Sequence, residues 1–157
     1  MSRRRRAEKR PIVPDPVYGS PMITKFMNKL MISGKKSVAQ RILYGAIEQF
    51  AKKVKAENPL VALEQALENA KPTLEVKTRR IGGANYQVPV EISPERRASL
   101  AMNWIIEFGR AKAGRSMIDG LALELADCFN NQGSSIKKKD ETHRMAEANK
   151  AFAHYKW

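Results

Sequence analysis

The stretch SGKKS, residues 33–37, has residue types that could hold a phosphate group. A Walker-type phosphate loop needs a glycine five residues before Gly34, where Lys29 stands, and a hydroxyl residue directly after its lysine, where Lys36 stands. We therefore interpret the stretch as a turn between two helices. Lys35 and Lys36 nevertheless stand at the start of a predicted helix, where backbone N–H groups and the helix dipole favour anions, so a nucleic-acid phosphate would fit there.

His143 and Glu147 are four residues apart on a predicted helix and therefore share one face. An acid–base pair or a metal site needs more than this, since no third Cys or His stands nearby. A surface ion pair is the simpler interpretation. Cys128, between Leu125 and Phe129, is typical of a small core residue. We find no Ser/His/Asp or paired-carboxylate pattern, and we expect neither an enzyme nor a protein with a metal or other cofactor.

Basic residues dominate the charge of the chain. Of its 157 residues, 29 are Lys or Arg and 16 are Asp or Glu, which gives a net charge of +13. Such an excess repels itself in the folded state, so it indicates a polyanionic partner, nucleic acid before an anionic membrane. The basic residues gather in short groups typical of a surface that follows a nucleic-acid backbone, and Tyr86 could stack on a base. The groups lie in the first ten residues, at Lys35-Lys36-Arg41, Lys77-Arg79-Arg80, Arg96-Arg97, Arg110-Lys112-Arg115 and Lys137-Lys138-Lys139.

Other partners and compartments are disfavoured. No apolar run approaches the ~18 residues that cross a bilayer, and MSRRRRAEKR at the N-terminus has no apolar segment of a secretory signal. The lone Cys128 cannot form an internal disulfide, so we expect an intracellular, reducing location and no membrane partner.

A single domain over residues 1–157 is expected, mainly α, with an extended basic N-terminal arm, about six helices and a protruding β-hairpin. The arm spans residues 1–19, where prolines favour an extended backbone, and we expect it to order on its partner. A cap residue followed by proline predicts helix starts at Ser20-Pro21, Asn58-Pro59 and Ser93-Pro94. Further helices are predicted after Ser37, near Ser116 and from about Ile136, with a loop over residues 109–115.

The β-hairpin is predicted over residues 73–92, where two alternating runs flank paired glycines. A two-residue turn at Gly82-Gly83 would pair Val76 with Pro89 and set apolar against polar faces. A three-residue loop over residues 81–83 pairs Val76 with Val88 and keeps the apolar residues together. Because a slip of one residue turns every side chain to the other face, we predict the three-residue loop.

The segments LEVKTRRIGGANYQVPVEISPERRASLAMNW, DETHRMAEANKAFAHYKW and KLMISGKKSVAQRILYGAIE closely resemble the bacterial small-subunit ribosomal protein family numbered seven. The resemblance covers essentially the whole chain and implies a six-helix bundle with a hairpin extension. It also implies primary binding to the 3′ major domain of small-subunit rRNA, nucleation of head assembly, and a place near the exit-site tRNA and the mRNA path in the cytoplasmic small ribosomal subunit. Ribosomal proteins nine, eleven and thirteen are the implied neighbours, and family members commonly repress their own operon mRNA.

Carried onto this sequence, the resemblance implies two sets of functional residues. The rRNA-binding set is Arg3, Arg4, Arg5, Arg6, Lys9, Arg10, Lys35, Lys36, Arg41, Lys77, Arg79, Arg80, Arg96, Arg97, Arg110 and Arg115. The hairpin tip that would face the tRNA is Gly82, Gly83, Ala84, Asn85 and Tyr86. Two rivals remain to be tested: a DNA-binding regulator, for which no helix pair shows a clear helix-turn-helix arrangement, and a nucleic-acid enzyme.

Overall fold

The computed structural model describes residues 10–155, and these form six α-helices, one β-hairpin and a terminal 3-10 helix. The predicted fold class is confirmed. The elements in chain order are α1 Pro21–Leu30, α2 Lys36–Val54, α3 Pro59–Ala70, β1 Leu74–Ile81, β2 Ala84–Glu91, α4 Pro94–Ala111, α5 Met117–Phe129, α6 Gly133–Ala148 and the 3-10 helix Lys150–Tyr155. No helix in the described part of the chain has the length and apolar character needed to cross a membrane.

Helix starts follow the proline signals of the sequence. Proline occupies the first position of α1, α3 and α4, where its missing N–H costs no hydrogen bond. The preceding cap residue acts in only one of these three helices: the Asn58 side chain accepts a hydrogen bond from the Leu60 N–H at 3.0 Å, whereas Ser20 and Ser93 make no side-chain cap bond. Proline is therefore the part of the signal that all three share.

The most apolar helix, α5, packs against α2, α3, α4 and α6 and lies at the centre of the core. The core side chains with no exposed surface include Phe26, Leu43, Phe50, Leu63, Ile105, Leu121 and Leu125. Each aliphatic side chain of this kind stabilises the fold by about 1.5–3 kcal/mol relative to exposure. The bundle thus rests on contacts that five helices make with α5 or with one another.

The loop predicted over residues 109–115 begins too early, because α4 continues to Ala111. Gly109 is buried and helical, and a Cβ placed on Gly120 would lie 2.4 Å from the Gly109 carbonyl oxygen. These two glycines let α4 and α5 approach closely. Gly109 therefore serves helix packing and does not end the helix.

The predicted start of α6 near Ile136 is also late, since the helix begins at Gly133. The buried Glu124 carboxylate of α5 accepts hydrogen bonds from the Ser135 N–H at 2.9 Å and the Ser135 hydroxyl at 2.8 Å. This tertiary contact holds the first turn of α6 against α5, and the sequence pattern of α6 alone could not reveal it.

The predicted three-residue hairpin loop is wrong. Ile81 pairs with Ala84 and Val76 pairs with Pro89, which leaves a two-residue Gly82-Gly83 loop. Both glycines have positive φ, 56° and 89°, as a tight type I′ turn requires. The prediction assumed that apolar residues would share one face of the hairpin. In the observed register Glu75 pairs with Val90, so polar and apolar residues share one face of the hairpin. The conformation of the Gly-Gly turn therefore sets the register.

The segment just before α1 docks on α2, although it belongs to the predicted arm. Asp15 is only 3% exposed, and its carboxylate accepts hydrogen bonds from the Val17 and Tyr18 N–H groups at 3.1 and 3.0 Å. The Tyr44 hydroxyl of α2 donates a further bond of 2.6 Å to Asp15. These contacts fix where the chain enters the bundle. They also set the starting point for the described residues that precede Asp15.

Candidate nucleic-acid interface

A groove of about 760 Å³ runs between α1 and α4 and is bordered by the segment that precedes α1. One side of the groove is lined by the basic residues Arg10, Lys25 and Lys29. The α4 side is lined by residues that include Glu95 and Asn103. Phe26 and Leu30, buried in the core, place the opposite face of α1 inward, so the two lysines on the outer face remain exposed. The groove therefore presents cations along one wall.

Two further cavities continue this groove toward the start of α2. The second shares Lys29 and Asn103 with the first and adds Arg110, while the third shares Arg110 with the second and adds Lys35. We call the five cations that line the three cavities the basic strip: Arg10, Lys25, Lys29, Arg110 and Lys35. Glu95 and Glu107 also line the groove, so the five cations meet two carboxylates there.

Lys25 and Lys29 were not among the predicted RNA-binding residues. That set was carried over from the family resemblance and falls in short basic groups, whereas these two lysines stand singly in the sequence. Their signal is the spacing of four residues on α1, which puts them on one face, away from Phe26 and Leu30. Arg110, which was predicted, joins them because its Nη2 donates to the Leu30 carbonyl oxygen at 3.1 Å.

At the base of the hairpin, predicted RNA-binding residues are engaged by a carboxylate. Arg96 Nε lies 3.0 and 2.8 Å from the two carboxylate oxygens of Glu75, Arg96 Nη2 lies 2.8 Å from one of them, and Lys77 Nζ lies 3.3 Å away. Burial by itself raises the pKa of Glu75, but hydrogen bonds from Arg96 and Lys77 hold that pKa below its ordinary value. Arg96 therefore anchors β1 to α4, and part of its charge is neutralised inside the protein.

The tip of the hairpin is exposed, but Tyr86 is not a free stacking surface. Its ring centroid lies 5.3 Å from that of Phe152 and 5.4 Å from that of Tyr155 in the 3-10 helix. Arg79, the cross-strand partner of Tyr86, donates to the Tyr155 carbonyl oxygen. The remaining predicted tip residues, Gly82, Gly83, Ala84 and Asn85, are exposed, as is Arg80.

Those of the other predicted residues that the structure describes fall in three places. Lys36 and Arg41 are exposed on the first turns of α2, close in sequence to Lys35 of the basic strip, and Arg115 is exposed before α5. Arg97 is half-buried and donates from Nε to the Ile92 carbonyl oxygen at 2.9 Å. The predicted residues Arg3, Arg4, Arg5, Arg6 and Lys9 lie outside the described residues.

The matching family model settles what kind of protein presents this surface. The model described as "Ribosomal protein S7p/S5e" matches residues 2–150. The chain belongs to this ribosomal protein family. The resemblance drawn from the sequence is confirmed, and with it the expectation of a protein of the small ribosomal subunit, which in bacteria is cytoplasmic.

Relatives within the S7p/S5e family align along the full length of the chain. The protein named "Small ribosomal subunit protein uS7" from Protochlamydia amoebophila (strain UWE25) is 71% identical over 157 residues, with 100% of both chains covered. Proteins of the same name from Chlamydia abortus (strain DSM 27085 / S26/3) and Chlamydia trachomatis (serovar D) are 66% and 64% identical over the same span. Chlamydial members thus share the whole domain with this chain.

His143 has a structural role at the base of the hairpin. Its Nε2 accepts a hydrogen bond of 2.9 Å from the Thr73 N–H at the base of β1. Burial lowers the pKa of His143, and the nearby Lys139 lowers it further, which favours the neutral ring that can accept this bond. Within residues 10–155, no group of three or more His, Cys, Asp or Glu side chains is placed to hold a metal ion.

Proposed function

We propose that this chain binds the 3′ major domain of small-subunit rRNA as a primary binder and thereby nucleates assembly of the head of the subunit. Membership of the S7p/S5e family supports the ribosomal setting. The observation that carries the proposal is the basic strip, which brings cations from the arm, α1, the turn before α2, and α4 into three adjoining cavities.

The shape of this surface favours folded RNA. Structured RNA is recognised through phosphates, 2′-hydroxyls and the splayed bases of junctions, and cations that lie on several different elements suit a backbone that changes direction. If each cation of the basic strip neutralises one phosphate, the slope of log affinity against log salt is about −4.5 from the strip alone. Further cations outside the strip, such as Lys36 and Arg41, would make the slope steeper.

A salt series on two nucleic acids tests the proposal. We expect the full chain to bind a transcript of the 3′ major domain tightly and a duplex DNA of equal length more weakly at every salt concentration. Changing Lys25→Ala together with Lys29→Ala should weaken RNA binding and reduce the salt slope by about 2, one unit per lost phosphate contact. Lys52→Ala is the matched control, because Lys52 is an exposed helical lysine that pairs with Glu48 outside the groove.

Equal affinity for the DNA duplex would favour the DNA-binding regulator and contradict the proposal. A slope unchanged by the double lysine variant would show that the α1–α4 groove does not hold the RNA. Incubation of the transcript with magnesium and the protein, followed by gel analysis for cleavage or modification, tests the enzyme alternative in the same samples.

The same proposal places the hairpin tip beside the exit-site tRNA and the mRNA, and ribosomal proteins nine, eleven and thirteen as neighbours. The exposed tip and the firm base, where Arg96 holds Glu75, support a finger that reaches away from the bundle. Deleting Arg80, Ile81, Ala84 and Asn85 keeps the Gly-Gly turn and the pairing of Arg79 with Tyr86. We expect an unchanged melting temperature, a small loss of rRNA affinity and altered tRNA retention in reconstituted subunits. Unaltered retention would contradict the placement of the tip.

A further inference from the structure

An apolar cleft of about 290 Å³ lies at the end of the basic strip, between the turn after α1, the start of α2 and the loop side of α5. Its apolar lining is Leu30, Ile32, Val38, Ala39, Ile42 and Met117. Ile32 and Val38 are 61% and 47% exposed, and because both line the cleft they form one apolar patch. Leaving two such side chains in water is unfavourable, which indicates a surface that is covered in the complex.

The charged residues that line the cleft are both basic. Lys35 and Arg110 stand at its edge, and no acidic side chain of the described residues lines it. The Arg110 guanidinium is held in place, because its Nη2 donates to the Leu30 carbonyl oxygen at 3.1 Å. A fixed, planar guanidinium beside an apolar floor suits an aromatic ring that carries a phosphate on either side.

Building on the proposed function, we propose that this cleft binds one unpaired nucleobase of the RNA. The base would lie against Ile32 and Val38 and stack on the Arg110 guanidinium, while Lys35 binds an adjacent phosphate. The cleft volume is close to the lower limit of about 300 Å³ for small-molecule sites, so it suits a single heterocycle. The basic arm of this same chain is a poor occupant, because its arginines would be repelled by Lys35 and Arg110.

The first test removes the apolar mouth without changing charge. In Ile32→Ser combined with Val38→Ser, affinity for the 3′ major domain transcript should fall roughly tenfold, because apolar contact with the base is lost. The salt slope should stay the same, because no phosphate contact is removed. Val61→Ser is the matched control: Val61 is 61% exposed on α3, and its change should leave both affinity and slope unaltered.

The second test identifies the base. The sequence has a single cysteine, Cys128, which is buried, so Ile32→Cys can carry a thiol-specific photo-crosslinker at the mouth of the cleft. Once the crosslinked nucleotide is mapped, a transcript with an abasic site at that position should bind the wild-type chain roughly tenfold more weakly. The Ile32→Ser, Val38→Ser variant should lose nothing further on the abasic RNA, since the contact is already absent.

These outcomes separate the cleft from the general function. Failure of the wild-type chain to bind the transcript would reject the proposed function itself. If the Lys25 and Lys29 variants lose affinity while the cleft variant binds normally, the nucleobase is rejected and the proposed function stands. A cleft variant that binds RNA normally but enters reconstituted subunits poorly would assign the cleft to a protein partner and overturn the inference. The inference would also be overturned if the abasic site and the Ile32→Ser, Val38→Ser changes lowered affinity additively.

Discussion

Replacing Lys112 with methionine should destabilise the bundle while keeping the aliphatic stem in place. The Lys112 ammonium lies 3.1 Å from Glu124 Oε2 and 2.8 Å from Asp127 Oδ2. Glu124 has no exposed surface, and its Oε2 has no hydrogen bond within the described structure. Removing the ammonium therefore leaves a buried carboxylate whose Oε2 faces no cation, beside a second carboxylate.

The size of the effect follows from burial. Removing one partner of a fully buried ion pair costs about 3–5 kcal/mol. The Lys112 and Asp127 side chains are 25% and 40% exposed, so water already screens part of the interaction. We expect a loss of about 2–3 kcal/mol in the free energy of unfolding for Lys112→Met. For a chain of this size, that lowers the melting temperature by about 4–12 °C.

Urea unfolding at neutral pH measures the loss, with Lys138→Met as the control. Lys138 forms an exposed pair with Glu141 at 2.8 Å on one helix, and its removal should cost less than about 1 kcal/mol. Adding Glu124→Gln to Lys112→Met should recover part of the stability, because no charge then remains buried. An unchanged free energy of unfolding for Lys112→Met, or a double variant less stable than the single one, would refute the reasoning.

The same pair gives a pH dependence with a defined sign. Burial by itself lowers the pKa of Lys112, but the hydrogen bond to Asp127 and the negative charges of Glu124 and Asp127 raise it above its ordinary value of 10.5. A raised folded pKa means that the stabilisation is complete below pH 10.5 and is lost as pH rises through the folded value. The wild-type chain should therefore lose more stability than Lys112→Met between pH 10 and 12.

Three further outcomes are expected. Tyr44→Phe should lower stability by about 1 kcal/mol in urea unfolding, because the buried Asp15 carboxylate loses its 2.6 Å hydrogen bond; no change would mean that water replaces the hydroxyl. Burial raises the pKa of the Cys128 thiol to about 12, so a thiol reagent at pH 8 should react only as fast as the chain unfolds, and rapid labelling of the native protein would contradict this. Deleting residues 2–10 should weaken RNA binding without lowering the melting temperature, since the docking of Asp15 is retained; a large drop in melting temperature would show that the arm belongs to the fold.

Local sequence signals were sufficient wherever the backbone alone decides the structure. Proline at the first helical position located the starts of α1, α3 and α4, and Ser116 was rightly expected before α5, where its hydroxyl accepts from the Asp119 N–H at 3.2 Å. The paired glycines at 82–83 also marked the position of the hairpin turn, although the predicted loop was one residue too long. Each of these signals acts within four residues of the element it starts or ends.

Contacts between distant residues defeated the same reasoning. In the observed register Glu75, a charged residue, is buried opposite Val90, and Arg96, 21 positions later in the chain, lies beside it. Alternation of polar and apolar residues could not predict that pair, so it favoured the wrong loop. Likewise Lys25 and Lys29 are ordinary surface lysines in the sequence, and only the packing of α1 on α4 turns them into one wall of a groove.

The partners of the basic side chains separate structural cations from those that can act on a polyanion. Arg96 and Lys112 are paired with carboxylates, so part of their charge is neutralised and their role is to join elements. Arg97 and Arg110 instead donate to backbone carbonyl oxygens, which fix the guanidinium without removing its charge. A positioned cation of full charge loses little entropy when it binds a phosphate, whereas a paired cation must first give up its carboxylate. Arg110→Lys should therefore weaken RNA binding more than Arg96→Lys, although both changes keep the positive charge.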